Sequence, residues 1–550
     1  MIQERYIEML EGAIQKNWSL PAISNYGGET YTYAQMGNKM VWLHHIYEKS
    51  DIKKGDKIAL IGKNSINWAV TFLATVSYGA VVVPILPDFK TDDIHHIVNH
   101  SDAVLLFAAQ SIFENLDDSK MPALEAIFSL DDFSLLHKKK SSILQVIAKA
   151  DDEYLAKFDN TLSHDNFKLP DIKNDELAAI VYTSGTTGFS KGVMLLHNSI
   201  SANIRYAQNN IPLKFGDKIV SFMPLAHSYG CAFEFLFPLS IGCHITFLSK
   251  IPSPKILIKA FKDVKPQLIL SVPLIIEKIY KKQIVPAIST GVTKYLIKLP
   301  GFSKVIYKKI RQKLVDVFGG NFIEVVIGGA GFNPEVELFL KKIQFPFTNG
   351  YGMTECGPLI SYDGWQTNKA FAVGQVVDTL EIKIDSEDPK NIVGEIMVKG
   401  ENVMQGYYKN PEATKETIDK DGWLHTGDLG IIDKDGYVFI KGRSKNMLLG
   451  PSGQNIYPEE IEARLNNMPM INESLLIEKN GRLIALVYPD YELVDASNIS
   501  ETKLLERLDE NRKSLNEQLP GYSTIAEIEI FPEEFEKTPT KKIKRFLYST

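Results

Sequence analysis

Residues 182–194 read YTSGTTGFSKGVM. Three glycines, five Ser or Thr side chains and one lysine share this short run. Closely spaced glycines let backbone N–H groups turn toward a common centre, hydroxyls add donors and lysine adds charge, so the composition points to phosphate. LAAIVY before it reads as a buried strand, and VMLLHNSISANIRYAQ after it as an apolar segment entering a helix, with Asn198 as the expected N-cap. An exposed Gly/Ser/Thr linker is the ordinary alternative, but linkers are rarely enclosed between apolar elements. The GxxxxGK[ST] nucleotide loop does not fit, because Phe189, Ser190, Lys191 and Gly192 follow Gly188.

Outward from this loop the chain has 550 residues, which implies several domains. An apolar fraction of 44% and a charged fraction of 23% are ordinary for a globular protein. The net charge of −6 offers no global basic field, so nucleic acid is not an expected partner. Cys231, Cys243 and Cys356 lack metal-ligand spacing and fit a reducing compartment. The N-terminal MIQERYIEMLEGAIQKNW has no basic-then-apolar signal pattern, and no run of eighteen apolar residues occurs. A cytoplasmic location is expected, with only peripheral contact to an inner membrane surface left open.

From Lys57 the pattern alternates. KIALIG, AVVVPI and AVLLFAA suit buried strands, and SINWAVTFLATVSYG and TDDIHHIVNH suit helices. Such alternation predicts an α/β fold with helices on a largely parallel sheet. A polar stretch over 151–176 reads as a connection. A second alternating block runs from Lys218 to about Gly331, and after about Leu359 short strands with Gly, Asn and Asp turns predict a β-rich subdomain. Beyond GRSK lie a helix, PEEIEARLNN, a hairpin about Asn480-Gly481 and an amphipathic helix, ETKLLERLDENRKSLNEQL.

Four further segments stand out: NGYGMTECGP at 349–358, WLHTGD at 423–428, GRSKNMLLGPSGQNIYPEEIE from Gly442, and KTPTKKIKRF at 537–546. Taken singly they read equally well as turns, a basic linker and a basic tail. Their order, TSGTTG…KG, YGMTE, TGD, GRSK and a terminal Thr-x-Lys-Ile-x-Arg, resembles the AMP-forming acyl-CoA synthetases of the acyl-adenylate-forming superfamily over nearly the full length. HSYG, the lysine-rich stretch after IIEKIY and LGPSGQNIYPEEIE look most like bacterial long-chain fatty-acid–CoA ligases.

The resemblance implies an N-terminal domain, 1–442, with two helix-flanked, mostly parallel sheets and a small β-barrel-like subdomain at about 360–442. A small mobile α+β domain, 443–550, would follow, hinged near Lys445. It also implies ATP, Mg²⁺ and CoA: a carboxylate attacks the α-phosphate, pyrophosphate leaves, and the CoA thiol then displaces AMP. Carboxylate and phosphate are both negative, so the site must neutralise charge as it develops.

By the same resemblance Thr183, Ser184, Gly185, Thr186, Thr187, Gly188 and Lys191 would hold the outer phosphates. Glu355 and Thr183 would hold Mg²⁺, which favours hard oxygen ligands. Gly329, Ala330, Asn349, Gly350, Tyr351, Gly352 and Thr354 would frame the adenine, with Asn349 on its exocyclic amine and Tyr351 against its ring. Asp428 would accept from the ribose hydroxyls and Arg443 would support ribose and phosphate. Lys542 would bridge carboxylate and α-phosphate, although Lys541 stands where the family usually has Gly. Gly450 and Gly453 would lie by the CoA arm. His227, Ser228, Tyr229 and Gly329 would line the acyl pocket, with no acid–base duty for His227.

His227 to Leu239, HSYGCAFEFLFPL, is apolar apart from Glu234 and favours a neutral-tailed acid; the resemblance implies a medium- to long-chain fatty acid. Lys278 to Lys313 holds ten Lys or Arg and no Asp or Glu, either a solvated helix face or a surface for anionic lipid headgroups. Two alternatives stay open: an acyl-AMP ligase that loads a carrier protein, and a catalytically silent nucleotide-binding scaffold.

Overall fold

A computed structural model describes residues 1–139, 149, 153, 162–183, 191–249, 254–289, 302–449, 454–538 and 542–548. Two large sheets dominate the N-terminal region. In the first, the parallel strands Val81–Ile85, Lys57–Ile61 and Ala103–Ala108 form the centre. Leu177–Thr183 adds parallel to Val81–Ile85 and then turns back, antiparallel, as Lys191–Leu196. The second carries Phe347–Asn349, Glu324–Ile327, Leu268–Ser271, Lys218–Ser221 and His244–Phe247 in parallel, as the alternating pattern predicts. Pro21–Asn25 extends this second sheet, an early segment whose pairing nothing in its sequence announces.

Between the sheets runs helix Ile66–Tyr78, whose residues are apolar or small on nearly every side and almost all buried. Ser65 caps it by accepting from Trp68 N, and Gly79 ends it in the left-handed region at φ 90°. Trp68 stacks on Phe72 at 5.4 Å, and both rings meet Phe235 edge-on. This aromatic contact joins the helix to the HSYG segment.

One expectation is corrected. Asn198 is not a cap: the strand ending at Leu196 passes directly into helix His197–Asn210, whose start is held by Glu176 O and Asn174 O instead. Asn198 ties down the N-terminus, accepting from Ile2 N at 3.1 Å and donating to Glu401 at 2.6 Å. Residues 162–176 form an irregular connection, as expected, and contribute to the core. Phe167 is fully buried, against Trp18 and so near Gly37 that a Cβ there would lie 2.9 Å from its ring.

The β-rich region forms an antiparallel sheet of Leu380–Asp385, Gly394–Gly400, Leu424–Ile432 and Val438–Arg443. The last hundred residues have a core of their own, including Ile461, Leu465, Leu476, Leu508 and Ile525. Their hairpin, Ile471–Lys479 with Arg482–Pro489, turns at Asn480 and Gly481, both at positive φ (55° and 73°), as the Asn-Gly pair predicts. No helix among the described residues is long and apolar enough to cross a membrane. The three cysteines are buried and free.

Candidate functional site

The phosphate loop leaves and re-enters one hairpin. Thr183 and Lys191 are direct partners across its two strands. Ser184, Gly185, Thr186, Thr187 and Gly188 lie outside the described residues. Lys191 Nζ sits 4.7 Å from the centre of the Tyr407 ring, a cation–π contact. The Tyr407 hydroxyl donates to Glu355 Oε1 at 2.9 Å. Sequence reasoning missed Tyr407. It belongs to the short strand Gly406–Tyr407, which returns from the β-rich region to pair with Lys191–Leu196, and two residues are too few for a periodic signal. Thr354 and Glu355 form a 3₁₀ turn, fastened where Met404 N donates to Glu355 O.

A second corner forms about Asp428. Register places Asp428 opposite Arg443 on adjacent strands, and Arg443 Nε donates to Asp428 Oδ1 at 2.9 Å. The Tyr351 hydroxyl donates to Oδ2 at 2.7 Å. Asp428 is buried, and its charge helps hold the Arg443 guanidinium ionised. Both carboxylate oxygens keep lone pairs for further donors. Gly329 and Ala330 are exposed on the loop after Glu324–Ile327, with Gly329 at φ +86°. Gly352 admits no side chain, since a Cβ would lie 2.2 Å from Pro358 O. Asn349 is buried, and its Oδ1 has no partner among the described residues. A buried acceptor in this state fits an exocyclic amine donor.

Lys542 reaches this corner from the far end of the sequence. Its hairpin closes where Thr538 N donates to Lys542 O at 2.8 Å and Lys542 N donates to Thr538 Oγ1 at 3.2 Å. The residue is solvent-accessible, yet protein surrounds its ammonium, so it stands in an open cleft. Desolvation lowers the ammonium's pKa and Arg443 lowers it further, whereas Asp428 and Glu355 raise it. Four residues from four separate motifs are therefore within electrostatic reach of one another. Lys445 lies in the 3₁₀ turn Ser444–Asn446, next to Arg443. Gly450 and Gly453 fall outside the described residues.

The description "AMP-binding enzyme" matches residues 10–408. The chain belongs to this family. Adenylate-forming ligases of this kind use ATP with Mg²⁺, and CoA as co-substrate. The chain is 29% identical to 4-coumarate-CoA ligase 1 of Narcissus pseudonarcissus, over 95% of this chain and 89% of that protein. It is 28% identical to long-chain-fatty-acid–CoA ligase 5 of Rattus norvegicus, over 92% and 79% respectively. A solved anthranilate CoA ligase, AuaEII, in complex with anthranoyl-AMP superposes with a TM-score of 0.78 at 19% identity, over 99% and 96% of the two chains. That superposition, like the sheets above, bears out the α/β architecture.

The residues expected to line an acyl pocket in this AMP-binding enzyme lie about the HSYG segment. His227 Nδ1 accepts from Tyr229 N at 3.3 Å, and burial, reinforced by Lys542, lowers its pKa to about 4. The Tyr229 hydroxyl donates to Val326 O, bringing its ring beside Gly328. Ser228 lines a small apolar cavity of about 30 Å³ together with Phe72, Val181, Ile204, Ala226 and Leu236. Glu234, the one ionisable residue of the apolar stretch, accepts from Phe222 N at 2.9 Å and Met223 N at 3.0 Å. Burial pushes its carboxyl well above the usual range. Glu234 is thus committed to two backbone amides rather than free to face a substrate.

The donor set fits magnesium triphosphate. Among the described residues no three His, Cys, Asp or Glu side chains gather as a metal cage. Glu355 thus offers a single carboxylate, which suits an ion that keeps phosphate oxygens and water as its other ligands.

Proposed function

We propose that the chain activates a medium- to long-chain fatty acid as its acyl-AMP and transfers the acyl group to CoA. The observation that carries this reading is the convergence of Lys542 with Glu355, Asp428 and Arg443. In the first step a carboxylate oxygen bonds to the α-phosphorus, the bond to the bridging β-oxygen breaks, and pyrophosphate departs. Lys542 would contact both negative reactants, while Lys191 and the loop Thr183–Gly188 hold the departing half. Mg²⁺ held at Glu355, with Thr183 as second ligand, would supply charge neutralisation on the phosphates. Asp428 would fix the ribose and Asn349 the adenine amine.

In the second step the CoA sulfur bonds to the acyl carbon and AMP leaves. The unit 443–550, turning near Lys445, would withdraw Lys542 and bring Gly450 and Gly453 to the CoA arm. A fatty tail is supported by the apolar composition of His227 to Leu239, in which Glu234 is the one ionisable acid. A panel of octanoate, palmitate, oleate and 4-coumarate tests it through acid-dependent pyrophosphate release followed by acyl-CoA formation. Preference for 4-coumarate would overturn the fatty-acid assignment, and absence of pyrophosphate with every acid would overturn adenylation.

The basic stretch 278–313 adds peripheral membrane contact to this reading. Helix Phe302–Val317 exposes Lys304, Val305, Lys308, Lys309 and Lys313, a cationic face with an apolar side chain among the lysines. Binding to phosphatidylglycerol vesicles that fades with salt supports it, and no binding at low salt removes it.

A further inference from the structure

Helix Pro458–Leu465 carries Lys441–Glu460 and Asn446–Glu459 contacts near its start and two further attachments along its length. Its buried Glu462 pairs with Arg545, three residues beyond Lys542, and also accepts from Leu476 N at 2.6 Å. The helix and the Lys542 hairpin are thereby coupled within the C-terminal unit. The end of the same helix rests on the N-terminal region. Asn333 Nδ2 donates to Ala463 O at 3.0 Å and to Asn467 Oδ1 at 2.5 Å, and Asn467 Nδ2 donates back to Asn333 Oδ1 at 2.8 Å. Lys281 Nζ donates to Asn466 O at the C-terminal end of the helix, where the helix dipole favours a cation. Glu277 steadies the other partner by accepting from Asn333 N at 3.2 Å.

We infer that Lys281, Asn333 and Asn467 form a clasp between the two regions that holds Lys542, through helix Pro458–Leu465 and the Glu462–Arg545 pair, in its adenylating orientation. They are positioning residues, remote from the Asp428 corner and acting through Lys542. The inference rests on the role proposed for Lys542. Since a unit that rotates must release this clasp, weakening it slows the first half-reaction and spares or speeds the second.

Asn333 also caps helix Pro334–Lys342, its Oδ1 accepting from Glu335 N and Val336 N. Asn333→Asp keeps that cap but replaces the amide donor with an oxygen facing Ala463 O, so clasp and cap are separable. The expected result is an adenylation kcat lower by about tenfold, the scale of a lost hydrogen bond, with the KM for ATP unchanged. Thioesterification of preformed acyl-AMP keeps or exceeds its rate, and Tm stays within about 2 °C. Lys281→Met acts in the same direction, and neither variant lowers adenylation further in a Lys542→Ala background. Wild-type adenylation by Asn333→Asp, or equal loss of both half-reactions, overturns the clasp.

A second readout needs no turnover. Spin labels at Leu338→Cys and Leu505→Cys, both exposed positions, report the distance between the two regions. Broadening of that distribution in Asn333→Asp supports the clasp, and an unchanged distribution overturns it. Should the wild type release no pyrophosphate with any acid, adenylation falls while the label distances still decide the clasp.

Discussion

The nucleotide side and the acyl side of the cleft are built on opposite principles. Around Asp428, Arg443, Glu355 and Lys542 acidic and basic side chains are brought together by strand register, a tight turn and the terminal hairpin. Around His227, Ser228, Tyr229 and Glu234 the groups are buried or half-buried, burial disfavours charge on His227 and Glu234, and backbone groups partner His227, Tyr229 and Glu234. A triphosphate is recognised by charge at fixed points, which a handful of residues can provide. An uncharged tail is recognised by the volume left over when several elements pack, to which helices, strands and a π-helical segment all contribute.

Removing a charge should therefore damage the first side far more than the second. Lys542→Ala is expected to lower adenylation by about 10²–10³-fold while thioester formation from preformed acyl-AMP survives, read by pyrophosphate release and acyl-CoA yield. Equal loss in both assays would break the contrast. Asp428→Asn should raise the KM for ATP by about 10–100-fold, since a charge-assisted acceptor for the ribose is lost, and leave the preference among acids unchanged. Lys445→Pro, in the turn next to Arg443, should slow thioesterification several-fold more than adenylation, which half-reaction assays resolve.

On the neutral side, Glu234→Gln should change stability by less than about 1 kcal/mol, because a carboxyl kept protonated by burial resembles the amide. Glu234→Ala should cost about 2–4 kcal/mol by leaving the Phe222 and Met223 amides unpaired, as measured by urea unfolding. A further effect concerns pH. Burial lowers the pKa of His197 from 6.5 to about 4, and its ring nitrogens have no partner among the described residues. Between those values the unfolded chain binds more protons than the folded one, so stability is full above pH 6.5 and falls as pH drops toward 4, by at most about 1.4 kcal/mol per unit. His197→Leu should flatten the fall in Tm between pH 7 and pH 5, and an unaltered slope would contradict this.

Legibility followed the same division. Strand and helix alternation was readable because a parallel sheet covered on both faces needs long apolar runs, as at Lys57–Ile61 and Val81–Ile85. Asp428, Glu355 and Lys542 were singled out through the resemblance carried by the order of their motifs, and the fold brings them near one another. Tyr407 was not, since its role comes from one two-residue pairing between distant parts of the chain. Pro21–Asn25 and Phe167 were missed for the same reason: only tertiary pairing or packing gives them meaning. Glu234 was visible as a residue but not as a neutral one, because protonation depends on burial that its neighbours cannot reveal.

The strand Gly406–Tyr407 has a mechanical consequence. It stitches the β-rich region to the first sheet at the point where Tyr407 meets both Lys191 and Glu355. The contacts expected to grip the outer phosphates thus form one fixed jaw, independent of where the C-terminal segment stands. Were the proposed cycle to swing Lys542 in and out, only one jaw would travel, and the leaving group would meet the same surface on every turnover.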